Sequence, residues 1–172
     1  MIERSILATD LALHFRDAPA LSTLASKINQ CPEKLETLLE ENPKGKHLMQ
    51  AGMMTAADLG NATKPWDVHH HVSQLIAEEF WTQGDIERKE FNLDPQPMFD
   101  RTVALRDSQL DFLDKTCIPL YEDMRRFSAE LQPLLDGCRR NRDIWRDTHH
   151  STEVTKSSKT ETEVDGEQAR NL

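Results

Sequence analysis

The chain has 172 residues, of which 37% are hydrophobic and 30% are charged, and its formal net charge is −9. This length suits one domain, and the acidic balance argues against a general nucleic-acid binder, whose phosphate contacts need a basic face. No apolar run approaches the roughly 20 residues of a membrane helix and no signal peptide is recognisable, so we expect a cytoplasmic protein with no membrane partner.

In the first third of the chain, apolar residues recur at three- and four-residue spacing, which predicts helices. Leu11 and Phe15 continue the apolar stripe of the first helix. The third helix should end at Asn42, because the residue before a proline disfavours helical backbone angles. The four predicted helices cover approximately residues 2–15, 21–28, 33–41 and 46–58.

The same period continues through the rest of the chain, with loops predicted over 60–65 and 92–97. Gly84 is expected to end the next helix, and Pro119 to kink the long one after it. The three predicted helices cover approximately residues 66–83, 110–124 and 131–145. The apolar face predicted for the first of these comprises Val68, Val72, Leu75, Ile76 and Phe80. The fold class is therefore all-α, a multi-helix bundle.

The chain is predicted to form one domain over 1–147, followed by a disordered tail over 148–172. In the tail Ser, Thr, Glu and Lys dominate, and too few apolar residues remain to form a core. The three cysteines are odd in number and widely spaced, which excludes a full disulfide framework and favours free thiols.

Isolated residues suggest little chemistry by themselves. Asp58 lies where an apolar helix meets a loop, so it is first interpreted as a solvated or capping carboxylate. Asp10 beside an apolar stripe either lines a pocket or faces water. The consecutive His69, His70 and His71 point about 100° apart on a helix and cannot converge on one ion, so they are interpreted as structural, as are His149 and His150.

An ordered set of motifs carries more information. Residues 54–59 read Met-Thr-Ala-Ala-Asp-Leu, residues 63–66 read Thr-Lys-Pro-Trp, and residues 83–85 read Gln-Gly-Asp. In this order and spacing they resemble the C-terminal part of the class I 3′,5′-cyclic-nucleotide phosphodiesterase catalytic domain. The resemblance implies a compact helical domain that hydrolyses cyclic GMP or cyclic AMP to the 5′-monophosphate. It also implies two divalent metal ions, zinc and magnesium or manganese, in the complete domain.

The resemblance assigns roles to individual positions. Asp58 is similar to the carboxylate that binds the zinc-like ion, and Gln109 to the glutamine that hydrogen-bonds the purine. Phe112 is similar to the aromatic residue that stacks on the base. Considered alone, Gln109 would be an exposed amide, and Phe112 and Phe80 ordinary core residues. The further positions implied to line the base pocket or to face the metal centre are Leu59, Ile76, Phe80, Met98 and Leu11.

The family's two upstream histidine motifs, which supply the other metal ligands and the general acid, do not occur in this sequence. We therefore expect an incomplete copy that does not hydrolyse cyclic nucleotides when isolated. The alternative is a non-catalytic interaction module that pairs with a full-length enzyme or a regulatory partner. The resemblance leans toward the branch with upstream GAF domains, which implies a homodimer formed through upstream regions.

Overall fold

The computed structural model describes residues 2–31, 33 and 35–148, and within these ranges it contains helices, turns and no strand. The predicted all-α class is confirmed. None of the described helices is both long and apolar enough to cross a membrane. The α-helices are α1 (Ile2–Leu7), α2 (Leu11–Gln30), α3 (Leu35–Glu41), α4 (Pro43–Asp58), α5 (Trp66–Glu90), α6 (Leu105–Phe112), α7 (Ile118–Phe127) and α8 (132–148).

The N-terminal helices divide the chain differently from the prediction. A turn after Leu7 separates α1 from α2, and Asp10 caps α2 by accepting a hydrogen bond from the Ala12 N–H at 2.9 Å. The second helix then continues through Pro19, so the predicted separate helices over 2–15 and 21–28 are wrong. The buried positions Leu21, Ala25 and Ile28 share one face of α2, and their packing maintains the helix beyond the proline.

The boundary between α3 and α4 follows the predicted signal. Asn42 ends the preceding segment and caps α4, where its side chain accepts from the Gly45 N–H at 2.9 Å. Pro43 occupies the first helical position, where its missing N–H costs nothing. The helix therefore begins three residues earlier than the predicted start at Lys46.

The long helix α5 buries a different face from the predicted one. Val68, Leu75 and Ile76 are exposed, and the buried residues of α5 are His69, Ser73, Ala77 and Gly84. Gly84 lies inside the helix, so the predicted stop there is wrong. The apolar period selected the wrong side because the buried face carries small and polar residues, which hydropathy does not identify.

A π-helical turn, Leu113–Cys117, joins α6 to α7 in one continuous helix. The Ile118 N–H bonds to the Leu113 carbonyl five residues earlier, and Pro119 follows immediately. The wider turn accommodates the proline, which has no N–H to continue the usual ladder. The expected distortion near Pro119 therefore takes the form of a π turn.

The main core lies where this continuous helix meets α8 and the 3₁₀ turn Leu59–Thr63. Asn141 of α8 donates to the Ala62 and Lys64 carbonyls at 2.9 and 2.8 Å. Tyr121 donates to the Ala56 carbonyl at 2.8 Å. The fully buried side chains of this core include Leu113, Cys117, Tyr121 and Cys138.

The described cysteines are free thiols, as predicted. A hydrogen bond with Cys138, together with burial, raises the pKa of Cys117 far above its usual range, so this thiol stays protonated. Thr148, the first residue of the predicted tail, still belongs to α8. The rest of the tail, with His149 and His150, lies outside the described residues.

Candidate functional site

A chain of polar side chains connects α5, α6 and α8 at the position of the predicted purine-binding glutamine. The Ser73 hydroxyl donates to Gln109 Oε1 at 3.3 Å, and Asn61 Nδ2 donates to Ser73 Oγ at 3.4 Å. The two donations run in the same direction and end at the glutamine amide. In this arrangement Gln109 Oε1 faces Ser73 of α5.

His69 fixes the end of this series of polar side chains that is farthest from Gln109. Trp145 Nε1 donates to His69 Nε2 at 2.9 Å, and an indole N–H is only a donor, so Nε2 carries no proton. The proton of the neutral ring is on Nδ1, which lies 3.2 Å from the Asn61 carbonyl oxygen. Burial lowers the pKa of His69, which agrees with a neutral ring.

The orientation of the Asn61 amide follows from the same contacts. Its Nδ2 group lies 3.5 Å from the His69 carbonyl oxygen, 3.4 Å from Ser73 Oγ and 3.4 Å from His69 Nδ1. Its Oδ1 atom is buried and has no hydrogen-bond partner.

The structure places two of the predicted aromatic and apolar positions in one cluster. Leu59 and Phe112 are half-buried and pack against the same core of α7 and α8 residues. Phe112 lies one helical turn after Gln109 on the same helix, so the two side chains share a face of α6.

The remaining predicted wall residues lie on α5 and on the 3₁₀ turn Pro97–Phe99. Ile76 and Phe80 follow Ser73 at helical spacing on α5. The Phe80 ring contacts Phe99 with centroids 5.0 Å apart. Ile76 and Met98 are 39% and 42% exposed.

Close backbone packing fixes the turn that carries Met98. A Cβ atom at Gly84 would lie 2.1 Å from the Phe99 carbonyl oxygen, so only glycine allows this approach. Arg101 adds a polar clamp, with ion pairs of 3.0 Å to Glu78 and to Asp85.

Asp58 is the last residue of α4 and Leu11 the first residue of α2, and Asp58 directly precedes Leu59, which packs on the same core as Phe112. The Asp58 side chain is exposed at the end of α4 and makes no capping hydrogen bond, so of its two first interpretations the capping role is wrong. Thr55, one turn earlier, donates to the Ala8 carbonyl at 2.7 Å and fastens the turn before Leu11 onto α4. No described contact joins Leu11 to the purine-side residues.

The amino-acid sequence matches known proteins over most of its length. The family model described as 3'5'-cyclic nucleotide phosphodiesterase matches residues 1–138. The chain belongs to this phosphodiesterase family. The cone cGMP-specific 3',5'-cyclic phosphodiesterase subunit alpha' of Mus musculus is 38% identical over 150 residues, which are 85% of this chain and 17% of the relative. The corresponding Bos taurus subunit is 40% identical over 154 residues, with 85% and 18% covered.

A solved structure agrees with the sequence matches. LmjPDEB1 in complex with IBMX superposes with a TM-score of 0.71 at 27% identity, covering 86% of this chain and 42% of that chain. The chain thus spans less than a fifth of the curated phosphodiesterases it matches and less than half of the solved phosphodiesterase chain.

Divalent metal ions are general in the phosphodiesterase family. The residues described here do not fit a complete metal site, because no group of three or more His, Cys, Asp or Glu side chains converges among them. Asp58 is one exposed carboxylate, and a catalytic metal usually needs three protein ligands.

Three members of the polar chain were missed from the sequence: Asn61, Ser73 and Trp145. A serine on a helix and an asparagine in a turn carry no motif. His69 was predicted to be structural, and it does serve in the protein interior as a neutral acceptor for Trp145. The available signal was a pair of polar residues four positions apart on α5, His69 and Ser73, which share its buried face. The regularly spaced apolar residues on the other side of α5 obscured this signal.

Proposed function

We propose that this chain supplies the purine-binding wall and one metal-binding carboxylate of a class I phosphodiesterase. The complete domain hydrolyses 3′,5′-cyclic nucleotides, cyclic GMP or cyclic AMP, to 5′-monophosphates. The observation that supports this best is the polar chain ending at Gln109, because it prepares one amide for a ligand in a protein of this family.

The direction of the hydrogen bonds from Asn61 through Ser73 to Gln109 favours guanine. Gln109 Oε1 is turned toward Ser73, so the group left for a ligand is the Nε2 donor. Guanine offers two acceptors, O6 and N7, on one edge, whereas adenine places a donor amino group beside its N7. A donor-presenting glutamine therefore prefers cyclic GMP, the nucleotide named in the mouse and bovine relatives.

Phe112 and the apolar wall contribute the rest of the affinity in this proposal. An aromatic ring one turn after Gln109 can stack on the purine face while the amide binds its edge. Leu59, Ile76, Phe80 and Met98 exclude water from the base, and Leu11 lies on the metal side. Exclusion of water strengthens the single hydrogen bond to the base.

The test is a complete domain in which residues 1–138 replace the matching part of the mouse cone subunit. Hydrolysis of cyclic GMP and cyclic AMP is measured with each variant. Ser73→Ala frees the Gln109 amide to rotate, so the preference for cyclic GMP should fall while turnover persists. Ser108→Ala, on the same helix as Gln109, is the control and should change neither quantity.

Two further variants separate the roles. Gln109→Ala should weaken nucleotide affinity by about 1–3 kcal/mol, because a base edge is left unpaired in a closed site. Asp58→Asn should abolish turnover and leave nucleotide affinity largely intact. An unchanged KM and nucleotide preference in Gln109→Ala would show that the glutamine does not face the purine.

The second candidate function is a non-catalytic interaction module. It is favoured by the exposed apolar side chains of α1, α2 and α4, and no group of three or more metal-type side chains converges among the described residues. The isolated chain, assayed with zinc and magnesium, should then show no hydrolysis. Metal-dependent, saturable turnover by the pure chain would contradict both this candidate and the expected incompleteness.

A further inference from the structure

Two neighbouring grooves open on the N-terminal helices. The first, of about 480 Å³, lies between α2 and α4, and the second, also of about 480 Å³, is lined by α2, α3 and the start of α4. Lys44 and Leu48 line both grooves and form their shared wall. Volumes of about 300–1,000 Å³ are typical of small-molecule sites. Neither groove includes a residue of the proposed nucleotide site.

The lining of the first groove suits an aliphatic chain. Its apolar residues include Leu13 and Leu21 of α2 and Leu48 and Ala51 of α4. Leu21 is only 2% exposed, so the base of the groove is continuous with the protein core. Hydrocarbon placed along these residues leaves water, which is the main source of affinity for an apolar ligand.

Lys44 adds a positive charge to this apolar lining. Arg16 and Asp17, which also line the first groove, bind each other through contacts of 2.8 and 3.0 Å, so their charges compensate. Burial lowers the pKa of His14, so this lining residue is neutral near pH 7. Lys44 makes no ion pair with any residue that the structure describes, and its charge remains available to an anion.

The second groove reinforces this positive charge at the shared wall. Its charged lining residues are Lys27, Glu41 and Lys44, and Lys27 likewise makes no ion pair among the described residues. The chain as a whole has a formal net charge of −9, which disfavours general attraction of anions. An anion that binds here therefore needs the local lysines and an additional source of affinity.

We propose that the first groove binds a long-chain fatty acid, with its aliphatic chain along α2 and α4 and its carboxylate at Lys44. This ligand class uses both features of the groove. An inorganic anion would leave the apolar lining in water, and an uncharged hydrocarbon would leave Lys44 without a partner. The site is independent of the proposed function, because it shares no residue with the nucleotide site.

Equilibrium dialysis of the full chain against radiolabelled dodecanoate, below the micelle concentration, tests the proposal. Binding should saturate at one molecule per chain. Affinity should rise about twofold to fourfold for each methylene added from octanoate to dodecanoate, because each buried methylene adds hydrophobic free energy. Dodecanol, which has the same chain length and no charge, should bind about fivefold more weakly. Absence of saturation, or equal affinity for octanoate and dodecanoate, would overturn the proposal.

A matched pair of lysine variants locates the carboxylate. Lys44→Gln should weaken dodecanoate binding about fivefold and leave dodecanol binding unchanged, because only the charged contact is lost. Lys46→Gln removes the same charge from an exposed position of α4 that lines neither groove, and should change neither affinity. Equal losses in the two variants would show a response to the general charge of α4 and would overturn the assignment.

A second pair of variants locates the aliphatic chain. Ala51→Leu places a larger side chain in the first groove and should weaken binding of both dodecanoate and dodecanol at least tenfold. Ala57→Leu, at an exposed position of α4 outside both grooves, should have no effect. Circular dichroism and thermal melting check that each variant folds. Should Ala51→Leu not fold, the lysine pair and the chain-length series still decide.

A vesicle experiment separates a free fatty acid from a membrane surface. The chain should not float with phosphatidylserine vesicles, because the proposed ligand is a single molecule enclosed by the groove. Flotation with these vesicles and no binding of free dodecanoate would identify a membrane surface as the occupant and would overturn the proposal.

Discussion

The two ends of this helical bundle are closed to very different degrees. Around α6, α7 and α8, Leu113 and Cys138 are completely buried and Trp145 is 5% exposed. Around α1, α2 and α4, Phe15 and Met53 are each 53% exposed. The core among α6, α7 and α8 is therefore closed, whereas α1, α2 and α4 leave large apolar side chains at the surface.

This difference separates two functions that a phosphodiesterase combines. In the proposed function Gln109 recognises the base, and Ser73 and Asn61 orient its amide. Activation of water on a metal requires several converging ligands, and no group of three or more His, Cys, Asp or Glu side chains converges among the described residues.

The largest effect that tests this comparison is the removal of a core side chain at the closed end. Leu113→Ala should lower the free energy of unfolding by about 3 kcal/mol, because it leaves a cavity in a fully buried site. Leu7→Ala at the open end should cost about 0.5 kcal/mol. Urea denaturation compares them, and equal losses would contradict the difference between the two ends.

A smaller loss is expected where α8 is tied to the turn before α5. Asn141→Ala removes the donor that satisfies the Ala62 and Lys64 carbonyls and leaves two acceptors without this partner. We expect a loss of about 2 kcal/mol in unfolding free energy. Asn29→Ala, at an exposed position of α2, is the control. A loss no greater than that of the control would show that water replaces both bonds.

Replacing Gly84 and Gly60 by alanine is expected to change the free energy of unfolding in opposite directions. Gly84→Ala forces a methyl group against the Phe99 carbonyl and should destabilise the protein by about 1.5 kcal/mol despite the better helix propensity of alanine. Gly60→Ala meets nothing within 4 Å and should stabilise it by about 0.5 kcal/mol. A stabilising Gly84→Ala would mean that the Phe99 turn moves freely.

The same glycine shows what could be predicted from the sequence. Helix positions followed from apolar spacing, and the start of α4 followed from Asn42 and Pro43, because caps and prolines act locally. The role of Gly84 depends on a carbonyl fifteen residues away, which no local pattern reports. Hydropathy likewise misassigned the buried face of α5, where the partners of Ser73 and His69 come from two other helices.

The site residues stay a prediction, which came from the family resemblance and not from local patterns. The resemblance singled out Gln109, Phe112 and Asp58, because ordered motifs carry the register of a whole domain. The side chains that orient Gln109 lie 36 and 48 residues away in the sequence, at Ser73 and Asn61, and only the packing of α5 against α6 brings them together. Such supporting contacts are nonlocal, so a single sequence does not reveal them.

The smallest expected effect is a pH dependence that differs between the two ends. Burial lowers the pKa of His69 at the closed end and of His14 at the open end. A histidine whose pKa is lower in the folded state favours the neutral form, so its contribution to stability is complete above the usual pKa of about 6.5 and is lost as the pH falls below it.

His69 should dominate this loss, because its protonation would set two donors, its Nε2–H and the Trp145 N–H, against each other. Protonation of His14 should cost less stability, since Asp123 and Asp17 lie near it and favour its charged form. The urea midpoint of the native chain should therefore fall between pH 7 and pH 5, and His69→Gln should reduce this fall more than His14→Gln does. The titration of carboxylates is common to the native chain and both variants, so it cancels in this comparison. An equal or larger reduction in His14→Gln would show that the polar chain ending at Gln109 tolerates a charged His69.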